Sequence, residues 1–376
     1  MPCVAALRRE KRLLIRQYAQ SSDAAGLWQV LTTLVPLGAA GWATVIAAQH
    51  VPWLVLVPGV LSIFLFIRVF ALMHECGHGS LFRSQRLNQG FGFLFGVVSG
   101  MPQFVWSQHH AFHHLTNGDW DRYRGPLSTL TVTEYDALTD AARRRYRRAR
   151  HFALAPFGGF IYLIFNPRFN WLKGSIALLW DILRRKLAEP SLSVAQIAAT
   201  HKSRYWKTLR EYRHMLWNNL TLLGLWALAF QLPEAGIFFA VYLCSLSIAG
   251  GAGIALFTVQ HNFEQAYASD SAAWDADRGA LQGTSMLVLP RWLNWVTANI
   301  GYHHVHHLSS AIPGYRLVAC HEQYQHLFTG VQRISLWQIP AHLKCVLWDR
   351  DAARIVSIVE HDRRRAANGA MAPRRL

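Results

Sequence analysis

The sequence predicts an all-α integral membrane protein, in which four transmembrane helices form two hairpins beneath a cytoplasmic helical cap. Three observations support this: long apolar runs, an uneven distribution of basic residues, and clustered histidines. Of the 376 residues, 52% are hydrophobic and 16% are charged. In soluble domains about a quarter of all residues are charged, so the lower charged fraction of this chain favours a membrane protein. The long stretches without Lys or Arg argue against the alternative, a large soluble helical protein.

Two stretches contain no Lys or Arg, residues 17–67 and 214–277. Each contains two apolar runs that are long enough to cross a hydrocarbon core of about 30 Å at about 1.5 Å per residue. We therefore predict transmembrane helices at residues 27–49, 51–72, 215–232 and 235–259.

All 38 basic residues lie on one side of the membrane if both hairpins enter from that side, and this side is predicted to be cytoplasmic. Residues 73–213 and 261–365 then form the cap and residues 366–376 a mobile tail, all within one domain of residues 1–376. The Ala- and Arg-rich composition favours a bacterial inner membrane.

The formal net charge of +17 favours contact with anionic membrane lipids over nucleic-acid binding. Two basic runs fit this contact, residues 143–148 and 363–365. These runs are also candidates for docking an acidic electron-carrier protein, or they form a solvated face.

Eight of the nineteen histidines form three short clusters. Residues three and four apart share a helix face, so each cluster can present several imidazoles to a metal. Eight imidazoles exceed the four ligands of one zinc and suit two metal ions. Imidazole binds iron, copper, nickel and zinc, so the ligands do not identify the metal. The clusters are His74 and His78; His110, His113 and His114; and His303, His306 and His307.

Residues 74–78 also match the zinc-protease pattern His-Glu-x-x-His. An intramembrane zinc metalloprotease with Glu75 as the base is therefore an alternative, although it needs no further clusters. We expect supporting or structural roles for His109 and His304. Scattered histidines such as His321 are expected to be ordinary surface or core residues.

The three clusters, their order and their placement around two apolar hairpins resemble the membrane-bound fatty acid desaturases. That family has boxes of the form His-x3-4-His, His-x2-3-His-His and His/Gln-x2-3-His-His. The sequence at residues 74–78, 299–308 and 312–315 resembles that of the acyl-lipid desaturases, a branch of this family. The resemblance covers residues 27–317. The three boxes also occur in related hydroxylases and oxygenases, so a fatty acyl hydroxylase or oxygenase on the same scaffold is an alternative function.

The resemblance implies a non-haem di-iron centre in the cap, with two Fe ions and O2 as co-substrate. It implies His261 as a ninth ligand, whereas Phe257 stands where acyl-CoA desaturases have an asparagine. The implied substrate is a lipid-linked fatty acyl chain, and the implied partner is an external electron donor such as ferredoxin or a cytochrome. Side chains that orient the imidazoles are expected nearby. The candidates are Glu75, Asp119, Asp121, Glu264 and Asn299.

Overall fold

The computed structural model describes residues 2–125 and 127–371, and these residues are mostly helical, as predicted. The α-helices in chain order are α1 (Pro2–Tyr18), α2 (Asp23–His50), α3 (Leu56–His78), α4 (Gln85–Val98), α5 (Gln103–Thr116), α6 (Val132–Asp136), α7 (Asp140–Ala149), α8 (Ala155–Gly159), α9 (Asn166–Ala188), α10 (Val194–Thr200), α11 (Leu209–Ala229), α12 (Ala235–His261), α13 (Ala276–Gln282), α14 (Arg291–Val296), α15 (His303–Leu308), α16 (Gly314–Gln323), α17 (Ile339–His342) and α18 (Ile358–Met371). A π-helical segment, Phe160–Phe165, leads into α9.

In the described part of the chain, five short strands depart from the all-α prediction. They are β1 (Leu130–Thr131), β2 (Ser285–Val288), β3 (Gln332–Ser335), β4 (Cys345–Asp349) and β5 (Arg354–Ser357). Strand β4 pairs in parallel with β1 and antiparallel with β5, and β2 pairs in parallel with β3. The strands are too short to give a clear two-residue periodicity in the sequence.

Among the described residues, three helices are long and apolar enough to cross a membrane. They cover Asp23–His50, Pro52–His78 and Ala235–His261. Helix α11 contains most of the fourth predicted span, but it falls outside this group. Its first turns carry Arg210, Glu211 and Arg213, and Asn218 and Asn219 follow, so its mean hydropathy is lower.

The chain forms two compact units that alternate along the sequence. Unit 1 comprises Met1–Ser21, Ala111–Ala155 and Ala252–Leu376; unit 2 comprises Ser22–His110 and Pro156–Gly251. Because the segments alternate, no single cut in the sequence separates the units, and the single domain stays a prediction. Helix α18 extends into the predicted tail as far as Met371, whereas residues 372–376 lie outside the described part of the chain.

Unit 1 contains both sheets and has several apolar clusters. In one of them, Leu7 and Leu14 of α1 pack with Val305 of α15 and Leu317 of α16. In another, Trp120 and Trp348 pack with Val259 at the end of α12. These clusters fix the ends of α12 and α15, which carry histidines.

Unit 2 contains α2 and α3, which pack against each other. Ser22 caps α2 by accepting a hydrogen bond from the Ala25 amide, and Gly79 ends α3 with a φ of 69°. Arg68 of α3 is fully buried and donates to Thr33 Oγ1 of α2 over 2.9 Å. A buried, hydrogen-bonded arginine at this position fixes the two helices against each other.

Candidate metal centre

Unit 1 brings together four histidines from three elements: His113 of α5, His261 at the end of α12, and His303 and His307 of α15. Their ligand atoms all lie within 4.8 Å of one another. The Nε2 atom of His261 lies 2.9 Å from that of His303 and 3.1 Å from that of His113. The Nε2 atoms of His113 and His307 are 3.2 Å apart. Four imidazoles therefore point their Nε2 atoms at one small volume.

These separations fit ligands of a shared metal ion. A nitrogen ligand lies about 2.0–2.1 Å from a first-row metal such as zinc, so neighbouring nitrogens are about 3.0 Å apart in octahedral and about 3.4 Å apart in tetrahedral coordination. The observed Nε2 separations of 2.9–3.2 Å lie close to this range. The donor set therefore suits a metal that prefers imidazole.

A contact with the backbone determines which ring nitrogen of His261 carries the proton. Its Nδ1 atom lies 3.1 Å from the carbonyl oxygen of Gly283, which can only accept a hydrogen bond. Nδ1 must therefore carry the proton, and Nε2 of the neutral ring presents a lone pair to the other histidines. Metal-binding histidines are oriented in this way by a hydrogen bond from their second nitrogen.

The electrostatics of the cluster favour neutral imidazoles. Burial lowers the pKa of His307 well below its usual range, and the neighbouring ring of His114 lowers the pKa further. Neutral imidazole is the form that binds metal, so this lowered pKa favours the metal-binding form of His307.

His114 and His306 form a pair beside this cluster in unit 1. Their Nε2 atoms are 3.1 Å apart. The ring of His114 also stacks on His307, with centroids 4.1 Å apart and an interplanar angle of 18°. His306 is fully buried, so two more box histidines have facing nitrogens in unit 1.

The other three box histidines lie together in unit 2. The Nε2 atoms of His74 and His78, one turn apart on α3, are separated by 3.3 Å. The ring of His110 on α5 lies 4.6 Å from His74 and 5.0 Å from His78, measured between centroids. The structure thus brings the first histidine cluster, His74 and His78, into contact with His110, the first histidine of the second cluster.

Aromatic side chains support this second group. Trp106 stacks on His110 with centroids 4.6 Å apart and an interplanar angle of 15°. Its indole nitrogen donates a hydrogen bond of 2.9 Å to the hydroxyl of Tyr162. Gly77 allows the close approach of α3 and α5, because a Cβ atom at this position would lie 3.1 Å from Ser107 Cβ.

Of the five predicted supporting residues, Glu75 contacts a box histidine. Its Oε1 atom lies 3.6 Å from Nδ1 of His74, and its other oxygen accepts a hydrogen bond of 3.2 Å from Ser80. Glu75 is buried, so this carboxylate is placed to influence the orientation of His74.

The remaining four candidates make contacts elsewhere. Asp119 is buried and accepts a hydrogen bond from the Ser271 hydroxyl over 2.7 Å, whereas Asp121 accepts from the Ser271 amide over 3.2 Å. Glu264 is exposed and lies 4.0 Å from Arg354. Asn299 has a φ of 61° and donates to the Gly314 carbonyl. Their contacts stabilise loops, and their predicted role toward the imidazoles stays a prediction.

Two supporting residues were missed by sequence reasoning. The Gly283 contact uses a backbone carbonyl, for which the residue type gives no signal. His321, expected to be ordinary, lies with its Nδ1 atom 2.8 Å from Nε2 of the buried His304. Because His304 is inside α15, this contact anchors the helix that carries His303, His306 and His307.

The described residues therefore define a class of protein. It is largely helical, with three membrane-compatible helices and clustered histidines suited to metal. Comparison with known proteins identifies the family. The family model for fatty acid desaturases matches residues 51–339. The chain belongs to the fatty acid desaturase family, and it is an oxidoreductase that desaturates fatty acyl chains.

Similar proteins come from bacteria and plants. A fatty acid desaturase of Bacillus subtilis (strain 168) is 32% identical over 91% of this chain and 88% of the relative. An sn-1 oleoyl-lipid 12-desaturase of Anabaena variabilis is 23% identical over 77% of this chain and 73% of the relative. An endoplasmic reticulum omega-3 fatty acid desaturase of Vigna radiata var. radiata is 24% identical over 68% of this chain and 60% of the relative.

Proposed function

We propose that this desaturase introduces a double bond into a fatty acyl chain that is carried by a membrane lipid. The name of the Anabaena relative specifies an oleoyl-lipid substrate. The three apolar helices would hold the enzyme where such lipids are found. A lipid-linked chain reaches the enzyme from the bilayer, so this substrate class agrees with a membrane location.

The proposed cofactor is a pair of non-haem iron ions held by nine histidines. His113, His261, His303 and His307 of unit 1 would hold one ion, and the other five box histidines are the further proposed iron ligands. The observation that carries this proposal is the convergence of four Nε2 atoms in unit 1, with separations of 2.9–3.2 Å. Iron, when bound, would supply redox chemistry with dioxygen that zinc lacks.

The stoichiometry of the overall reaction determines how many electrons and protons must be supplied in addition to the substrate and O2. Removing two hydrogens from a CH2–CH2 pair releases two electrons and two protons, whereas reducing O2 to two waters consumes four of each. Two electrons and two protons must therefore come from outside. A ferredoxin or cytochrome-type protein is the proposed electron donor, and the basic runs are candidate docking sites for an acidic carrier.

The protein's own side chains would position the imidazoles and keep them neutral. The Gly283 carbonyl sets the tautomer of His261, Glu75 lies beside His74, and Trp106 stacks on His110. Desaturation at one pair of methylenes also requires an orienting, water-excluding environment. Burial of His261 and His303 agrees with such a site.

We further propose four transmembrane helices, with α11 as the fourth, and a cytoplasmic cap at a bacterial inner membrane. The support is the absence of Lys and Arg from residues 17–67 and 214–277, which leaves the basic residues for one side. Helix α11 is 21 residues long, which is sufficient to cross the hydrocarbon core. Glycosylation or protease-accessibility mapping of residues 230–234 would test this topology.

The alternatives, a hydroxylase and a zinc metalloprotease, have no specific observation in their favour. Expression of the protein in a bacterial host fed oleate, followed by gas chromatography–mass spectrometry of the fatty acids, tests the proposed function. His306→Ala is the inactive variant, and His326→Ala is its matched control, because His326 is an exposed histidine outside the boxes.

A new unsaturated species with the native protein and His326→Ala, absent with His306→Ala, is the expected result. Separation of the host lipids before analysis would locate the new chain in glycerolipid or in a soluble thioester. A hydroxylated product, or a product in the soluble thioester alone, would contradict the proposal.

A further inference from the structure

Helix α9 in unit 2 has two apolar faces. One of them is buried inside the unit: Leu178 packs with Trp206 and Met215, and Trp171 and Ile182 lie against the same cluster. Gly174 belongs to this face, since a Cβ atom there would collide with the Trp206 ring. The packing requirement of unit 2 therefore explains this face of the helix.

The second apolar face is exposed in the structure. Its large side chains recur at intervals of three and four residues and form a stripe about 100° wide. The exposed fractions of these side chains lie between 39% at Phe169 and 76% at Leu187. The stripe includes Phe169, Leu172, Ile176, Leu179, Leu183 and Leu187. Trp180, which is 66% exposed, lies at its edge.

Such a surface is unusual for a face in contact with water. Helix α9 has 23 residues and is therefore about 34 Å long at about 1.5 Å per residue. An apolar stripe of this length marks an interaction surface. The helix contains six charged residues, and among the described residues it falls outside the three helices that are apolar enough to cross a membrane.

The charges of α9 indicate what covers the stripe. The helix carries five basic residues and one acidic residue, a balance of +4, and the acid, Asp181, already lies near Arg184 and His201. On a helical projection, Lys173 and Arg184 lie along one border of the stripe, and Lys186 lies along the other. Lys and Arg at the borders of an apolar face can extend toward anionic headgroups while their stems cover apolar surface.

We propose that α9 lies in the plane of the bilayer surface, with this stripe in the acyl-chain boundary and its basic borders among anionic headgroups. A second copy of the chain is a poorer occupant, because it would bring the basic borders of two helices together with one aspartate in each. The proposal concerns membrane contact alone, so it stands independently of the substrate and cofactor.

Nitroxide labelling tests this proposal in the full-length protein. The background carries Cys3→Ser and Cys244→Ser, because Cys244 is exposed, whereas Cys76, Cys320 and Cys345 are buried and react slowly. Single cysteines are then introduced with Leu179→Cys in the stripe and Ala177→Cys outside it. Both positions are exposed, so the two substitutions are matched for folding and labelling.

The labelled proteins are reconstituted into lipid nanodiscs that contain phosphatidylglycerol. Power-saturation electron paramagnetic resonance then measures collision with O2, which concentrates in lipid, and with a water-soluble nickel chelate. At Leu179→Cys the O2 accessibility should exceed the nickel accessibility, and at Ala177→Cys the order should reverse. A scan over residues 176–183 should show this ratio oscillating with the helical period of about 3.6 residues.

Two results would overturn the proposal. Low accessibility of Leu179→Cys to both reagents would mean that protein covers the stripe, through a second copy or another partner. High accessibility to the nickel chelate at both positions would mean that the stripe faces water.

Discussion

The Nδ1 atom of His261 donates its proton to the carbonyl oxygen of Gly283 over 3.1 Å. This contact joins the last residue of α12 to the residue that follows α13. It turns the Nε2 lone pair toward His113 and His303, which are 3.1 and 2.9 Å away. A backbone carbonyl thus determines which nitrogen of the central histidine is available to a metal.

Gly283→Ala should weaken metal binding without altering any proposed ligand. A Cβ atom at this position would lie 2.7 Å from the Gly279 carbonyl oxygen, so the backbone around the Gly283 carbonyl must move. Loss of such a supporting contact costs about 10- to 100-fold in metal affinity. Competition with a chelator, followed by elemental analysis, would measure the change.

Gly330→Ala is the control for this experiment, because a Cβ atom at Gly330 meets nothing within 4 Å. It should retain native affinity. Equal affinities for Gly283→Ala and Gly330→Ala would show that the carbonyl has no role in orienting His261.

Trp106→Leu should lower metal occupancy, because it removes the ring that stacks on His110 at 4.6 Å. Trp106→Phe keeps an aromatic face and should restore much of the occupancy, while losing the hydrogen bond to Tyr162. Elemental analysis of the purified variants would measure this. Trp337→Leu, at a position 92% exposed, provides the control, and a Trp106→Leu protein with full occupancy would exclude a positioning role.

Gly159→Ala should destabilise the protein by about 1–3 kcal/mol, as expected for an overpacked site. A Cβ atom on Gly159 would collide with the backbone of Ser247 and Gly251 in α12. Small residues permit this close helix–helix approach. Thermal unfolding in detergent should show a lower midpoint for Gly159→Ala than for Gly224→Ala, whose added methyl meets nothing within 4 Å. Equal midpoints would contradict the close packing.

Cys320 and Cys345 should resist alkylation in the folded protein. Burial raises the pKa of each thiol to about 12, and the nearby carboxylates of Glu264 and Glu360 contribute at Cys345. Because the thiolate is the reactive form, alkylation at pH 8 should be slow and should accelerate as the pH rises toward 12. Peptide mass spectrometry after iodoacetamide treatment, with and without denaturant, would compare the two states. Rapid modification without denaturant would contradict the burial of these two thiols.

The sequence predicted the parts of the fold that depend on local patterns. Long apolar runs predicted the helices α2, α3 and α12, and the three-residue and four-residue spacings predicted that His74 and His78, or His303 and His307, share a helix face. The structure places these side chains together. Their proximity follows directly from helix geometry.

The remaining features depend on contacts between distant residues. Leu130 of β1 pairs with Leu347 of β4, and neither strand is long enough to have a distinct periodicity. Helix α9 was not predicted, because its exposed apolar residues are separated by charged and polar ones and do not form a continuous run. The contact between His304 and His321 also could not be predicted, because it depends on how α15 packs against α16.

The metal content of the purified protein tests the central claim most directly. Protein expressed with iron supplementation and purified without chelator should contain about two irons per chain by elemental analysis, because nine histidines exceed the needs of one ion. His261→Ala should contain less iron than His326→Ala, the matched histidine variant. A native protein with a single zinc per chain, or equal iron in both variants, would contradict the account.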